Sequence, residues 1–158
     1  MKKAVLIVAL VIFNIGEIKA QSLIINDFRK IVAERTTAFK NLQTDLLQDN
    51  VEKGVKIYSP SIGNSIICKA FITQSNTFGG TFIMVYNIQE MDAMKLTIFN
   101  NMAAQYITEL NDMVKTGNYK GQDYNEGSDF VTEIKDLNDN VVVKYVSNDT
   151  QHMIMVLD

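Results

Sequence analysis

Two segments of this sequence limit its fold more than any other feature, because both faces of each segment are apolar. The segment around Ile83 and Val85 carries aromatic residues and a methionine at the alternate positions, and the segment around Ile154 and Val156 carries methionines there. Side chains alternate between the two faces of a strand, so both segments predict β-strands. Two helices usually cover only one face of a sheet, so the second face needs another cover.

Three ways of covering that second face are consistent with the sequence. The sheet curls around a helix of its own chain, it encloses a small apolar ligand, or it meets a protein partner, which includes a second copy of the chain. Strand alternation alone assigns Ile83, Val85, Ile154 and Val156 to this face. These four residues are the candidate interaction face.

Two helices are predicted from apolar residues spaced three and four apart. The first helix extends from Ser22 to Gln48, and the second from about Gln89 to Lys115. Glu90 near the start and Lys115 at the end suit the helix dipole of the second helix. The polar, glycine-containing stretch from Asn118 to Ser128 predicts a loop.

The remaining periodic segments predict five to six strands. These strands are Val55 to Tyr58, Ser65 to Ile72, Thr81 to Ile88, Asp129 to Lys135, Val141 to Val146 and His152 to Leu157. The order α-β-β(-β)-α-β-β-β predicts an α+β fold with two helices packed on an antiparallel sheet. Neither an internal repeat nor a shift in composition divides the chain, so residues 21–158 are expected to form one domain. The element order resembles the architecture of type III secretion chaperones and of roadblock-type domains.

The first twenty residues have the plan of a secretory signal peptide. Lys2 and Lys3 precede an apolar run of 12 residues, and a more polar tail ends at Ala20. The run is shorter than the roughly 20 residues that span a bilayer, although an uncleaved anchor is the alternative. The Lys-Lys start and the Lys19-Ala20-Gln21 ending resemble leaders of Bacteroidetes, and the rest of the chain resembles the small uncharacterised secreted proteins of that group. The resemblance implies a periplasmic or secreted protein. It does not indicate any particular activity.

Cleavage after Ala20 removes three of 15 basic and one of 18 acidic residues, which changes the formal charge from −3 to −5. An acidic domain has little means of holding nucleic-acid phosphates, since that binding depends on Lys and Arg. We therefore expect no nucleic-acid partner, and no membrane anchor once the leader is removed.

The residues available for catalysis are few. His152 is the chain's one imidazole and Cys68 its one thiol, and both lie among aliphatic residues in predicted strands. Nucleophilic catalysis needs a nucleophile, a base and an oxyanion-binding turn, and no such turn lies beside this pair. A zinc site needs more nitrogen or sulfur ligands than one histidine and one cysteine supply. Cys68 is instead expected to be a buried thiol. We therefore predict that the protein is not an enzyme and takes no metal or other cofactor.

Two further sequence patterns resemble metal sites, and a structural role explains each of them better. Asp136, Asn138 and Asn140 begin like a calcium loop, but Val141 stands where such a loop needs glycine. A hairpin turn explains these residues. The methionines near His152 could bind copper only if they converged, and alternation sends Met153 to the opposite face from His152.

Three functions remain from this sequence. An exported binding domain that acts through a protein partner or through self-association is our first expectation. A carrier of a small apolar ligand in a curved sheet is the alternative, and an enzyme is the least supported.

Overall fold

An antiparallel sheet of eight strands organises the part of the chain that the structure, a computed structural model, describes: residues 25–77 and 79–158. The predicted signal peptide, residues 1–20, lies outside this part. Helix α1 covers residues 25–34 and helix α2 is Ala93–Lys115. The strands are β1 (Gln43–Asn50), β2 (Val55–Pro60), β3 (Lys69–Ser75), β4 (Gly79–Asn87), β5 (Tyr119–Glu126), β6 (Asp129–Asp136), β7 (Val141–Ser147) and β8 (Gln151–Leu157).

Counted inward from either edge of the sheet, four strands follow one another in chain order. The full strand order is β1-β2-β3-β4-β8-β7-β6-β5, so each half is a helix followed by four consecutive antiparallel strands. The halves meet where β4 pairs with β8, from Thr81 opposite Leu157 to Asn87 opposite Gln151. We call this strand pair the seam. The structure thus has two similar halves, although the sequence shows no repeat.

Both helices pack on the same face of the sheet. Phe28 of α1 meets Tyr106 of α2 edge to face, with ring centroids 5.3 Å apart. Both rings belong to one buried cluster with Phe82 and Met84 of β4 and Ile154 of β8. Full burial of side chains of this size stabilises a fold by roughly 1.5–3 kcal/mol each, so this face holds the main core.

The predicted α+β class, with two helices on an antiparallel sheet, is confirmed, but the count of five to six strands was too low. One additional strand is β1, in the region predicted to continue the first helix to Gln48. The helix stops because Ala38 and Phe39 adopt left-handed backbone angles, with φ of 51° and 60°. Among the apolar positions of that predicted helix, Phe39 and Leu42 are nevertheless buried but Leu46 is 51% exposed, so the apolar spacing identified some buried positions and not their conformation.

The other additional strand is β5, in the stretch predicted to be a loop. It is polar because it lies at an edge of the sheet and is mostly exposed. Gly121 lets α2 approach closely, since a Cβ at that position would lie 3.1 Å from Cγ2 of Val114.

Several element boundaries also differ from the predictions. Helix α2 starts at Ala93 because the Asp92 side chain caps it, accepting a hydrogen bond from the Lys95 amide at 2.9 Å. The residues from Ser65 to Cys68 form a turn of their own before β3. The predicted hairpin turn after β6 is confirmed, and the Asp136 carboxylate accepts hydrogen bonds from the amides of Asn138 and Asn140.

Candidate binding face and cavity

The four residues of the predicted interaction face lie on opposite faces of the sheet. Ile154 and Val156 are 1% and 0% exposed and belong to the core beneath the helices. Ile83 and Val85 are half-buried and point away from the helices. The structure therefore separates the predicted set into two pairs.

The register of the seam explains this separation. Directly opposed residues of an antiparallel pair share a face, and Met155 is opposite Ile83 while Met153 is opposite Val85. The sequence gives the alternation within each strand but not which residue lies opposite which. A shift of one residue in register exchanges the faces of a whole strand.

The outer face of the sheet therefore carries methionines from β8. Its half-buried apolar residues cluster around the seam, and no described helix lies over them. We call this cluster the open-face patch. Its residues are Phe71, Ile83, Val85, Met153, Met155 and Leu157.

A network of charged residues borders the patch on the same outer face. The Glu133 carboxylate accepts a hydrogen bond from the Tyr124 hydroxyl at 2.8 Å and forms ion pairs with Lys135 at 3.2 Å and Lys144 at 3.6 Å. Burial opposes ionisation of Glu133, but the hydrogen bonds and the two ammonium charges outweigh it and lower the pKa. This border is polar, and much of its charge is paired internally.

Cys68 takes part in a buried polar cluster on the helix face. The hydroxyls of Tyr86 and Tyr106 are hydrogen-bonded to each other at 3.0 Å, and the Cys68 thiol donates a weak hydrogen bond to the Lys69 carbonyl at 3.7 Å. Burial raises the pKa of Cys68 to about 11 and raises the pKa of both tyrosines. A thiol that stays protonated is a poor nucleophile. The predicted burial of Cys68 is confirmed.

His152 also has partners within the fold. Its ring packs edge to face on Phe99, with centroids 4.7 Å apart, and its Nδ1 is hydrogen-bonded to the Tyr145 hydroxyl. Burial lowers the pKa of His152. Its contacts are those of a residue that packs β8 against α2.

A cavity of about 300 Å³ opens at the end of the sheet where β3 and β8 begin and β4 ends. Lys69 and Val85, which are register partners, line it together with Lys95 from the first turn of α2. A second cavity of about 40 Å³ lies between Cys68 and the tyrosine pair. Within the described residues, no three Asp, Glu, His or Cys side chains converge as metal ligands.

Lys69 and Lys95 are not among the site residues predicted from the sequence. Lys69 follows the apolar stretch before β3, and Lys95 lies in the predicted second helix, 26 positions later in the chain. Only the turn from β4 into α2 brings them to one cavity. No local motif could have indicated this.

No protein-family model matches the chain, and no curated protein or solved structure is significantly similar to it. No helix within the described residues combines the length and the apolar character needed to cross a bilayer. The function has to be inferred from the residues of this chain.

Proposed function

We propose that the protein is an exported, non-catalytic binding domain that associates with a second copy of itself through the open-face patch. One observation carries the proposal. The seam places Met155 against Ile83 and Met153 against Val85 on a face that neither described helix covers. Contiguous apolar surface of this kind is typical of interaction sites.

The size of the face suits a dimer. Eight strands about 4.8 Å apart and about seven residues long make a face of roughly 34 by 24 Å, or about 800 Å². This is roughly the area that each partner buries in an interface of standard size. Two such faces would stack about 10 Å apart, as the sheets of a sandwich do.

The charges on the border around Glu133 favour a second copy over a partner of opposite charge, and Lys69 at one end of the face adds a single positive charge. Glu133 is paired with Lys135 and Lys144, so this border has no large unpaired charge of one sign. In a two-fold dimer each face meets itself, and a strong single-sign charge there would repel its own copy. An apolar centre with a polar rim is the usual anatomy of an interface.

The rest of the chain supports binding rather than catalysis. Cys68 is buried and donates a hydrogen bond to the Lys69 carbonyl, and His152 packs on Phe99, so the thiol and the imidazole each serve the fold. Export follows from the predicted leader at residues 1–20.

Sedimentation velocity over a wide concentration range tests the proposal, using protein expressed with its own leader. We expect a reversible monomer–dimer equilibrium. The variant Met155→Lys places a charge in the patch and should weaken dimerisation at least about a hundredfold, because an unpaired charge would be buried. Ile107→Lys is the matched control, since Ile107 is 50% exposed on α2, on the other side of the molecule. It should leave dimerisation unchanged.

Thr81→Lys on the same outer face is the second variant, in case Met155→Lys does not fold. A strict monomer at every concentration overturns the proposal. So does a dimer that neither of these two outer-face variants weakens. Native mass spectrometry of the same protein checks the alternative, because a co-purified apolar molecule that Met155→Lys removes would identify a carrier instead.

A further inference from the structure

The 300 Å³ cavity at the end of the seam combines positive charge with an apolar wall. Its basic lining residues are Lys69 and Lys95, and Glu90 is its one acidic lining residue. Ile67 and Val85 are among its apolar lining residues. The volume is at the lower end of the range for small-molecule sites, so a ligand would be small.

Four residues with polar side chains line the cavity, each from a separate element. Lys69 begins β3, and Asn87 and Gln151 are opposite each other at the end of the seam. Lys95 lies in the first turn of α2, where the helix dipole adds positive potential. The Lys95 ammonium is 3.9 Å from an Asp92 oxygen, a distance that permits only a weak pairing.

The charge on Lys69 has no ion-pair partner among the described residues. The amides of Asn87 and Gln151 provide hydrogen-bond donors beside it. Ammonium and amide donors together match the oxygens of a carboxylate, and hydrogen bonds to a charged group are stronger than those between neutral groups.

We propose that this cavity binds the carboxylate of a small aliphatic acid. Lys69 and Lys95 hold the carboxylate, Asn87 and Gln151 donate hydrogen bonds to it, and the short apolar chain of the acid lies against Val85. All lining residues of this site belong to one chain, so the site does not require self-association, although Val85 belongs both to the site and to the open-face patch.

Titration of isotope-labelled protein with hexanoate, followed by amide chemical shifts, tests the site. Hexanoate should shift the amides of Lys69, Asn87 and Gln151 and bind at least about tenfold more tightly than 1-hexanol, which lacks the charge. Lys69→Gln should weaken hexanoate binding about tenfold. Lys120→Gln is the matched control, because Lys120 lies on the edge strand β5 and pairs with Asp139 at 2.9 Å.

Equal binding of hexanoate and 1-hexanol would overturn the proposal, as would shifts confined to another region. Unchanged affinity in both Lys69→Gln and Lys95→Gln has the same consequence. The amide spectrum of each variant shows whether it is folded. If the protein is monomeric but binds hexanoate in this cavity, the proposed function fails and this inference stands.

Discussion

Met84 and Ile154 lie directly opposite each other at the middle of the seam, and both are buried beneath the helices. Met84 is 2% exposed and Ile154 is 1% exposed. The next residue along β8, Met155, points to the outer face beside Ile83. This one contact in the seam therefore decides which side chains belong to the core and which to the open-face patch.

The orientation of β8 can be tested by comparing two neighbouring positions. Ile154→Ala should lower the free energy of unfolding by about 2–5 kcal/mol, because it opens a cavity in the core. Met155→Ala should cost about 1 kcal/mol or less, because Met155 is only half-buried. Urea denaturation at low protein concentration, where the chain is monomeric, measures both. Equal losses at the two positions would contradict the register of the seam.

The hydrogen bond between Tyr86 and Tyr106 gives a second prediction. Tyr106→Phe leaves the hydroxyl of the buried Tyr86 without this partner, so we expect a loss of about 1–2 kcal/mol. Adding Tyr86→Phe should cost much less than it does alone, since the hydroxyl it removes has already lost that bond. A double-mutant cycle measured by urea denaturation checks this coupling. Additive losses would show that the two hydroxyls act independently.

The left-handed turn between α1 and β1 gives a third prediction. Ala38 has φ of 51°, an angle that glycine adopts at no steric cost. Ala38→Gly should therefore stabilise the protein by about 0.5–1 kcal/mol. Ala104→Gly, on the exposed side of α2, is the control and should destabilise it by about 1 kcal/mol. Thermal unfolding of the two variants should move in opposite directions, and a shift in the same direction would argue against the turn.

His152 gives a prediction about pH. Burial lowers its pKa in the folded state, so between that value and the ordinary 6.5 the unfolded chain binds more protons. Stability is therefore full above about pH 6.5 and falls as the pH decreases below it, by less than about 1.4 kcal/mol per pH unit for one proton. The free energy of unfolding at about pH 7.5 and about pH 5.5 measures this fall.

The variant His152→Gln is the control for this pH dependence and should show a smaller difference between the two conditions. Glu133 and Asp136 do not interfere, because their pKa values are lowered from 4.5 and 3.8 and their contribution to stability is lost only in more acidic solution. A fall that is unchanged in His152→Gln would assign it to another group.

The sequence was informative wherever burial follows a regular pattern within one element. Apolar residues spaced three and four apart predicted helix α2, whose buried side includes Phe99, Met102 and Tyr106, and alternation predicted β4 and β8. The predictions were wrong where strand pairing forms a polar strand or where backbone angles end a helix. β5 is a strand because it pairs with β6, which polar composition does not indicate. The faces of the seam depend on register between strands more than 60 residues apart, so Ile154 and Val156 were assigned to the wrong surface.

The seam also has a consequence for how the chain folds. Six of the seven strand pairs in the described sheet join consecutive strands, so each can form by closing a short loop. The seam joins residues 64 to 76 positions apart, from Asn87 and Gln151 to Thr81 and Leu157. Most of the entropy cost of long-range strand pairing therefore falls on one step, the docking of two locally formed halves. Substitutions that weaken the seam should slow folding more than equally destabilising substitutions within either half.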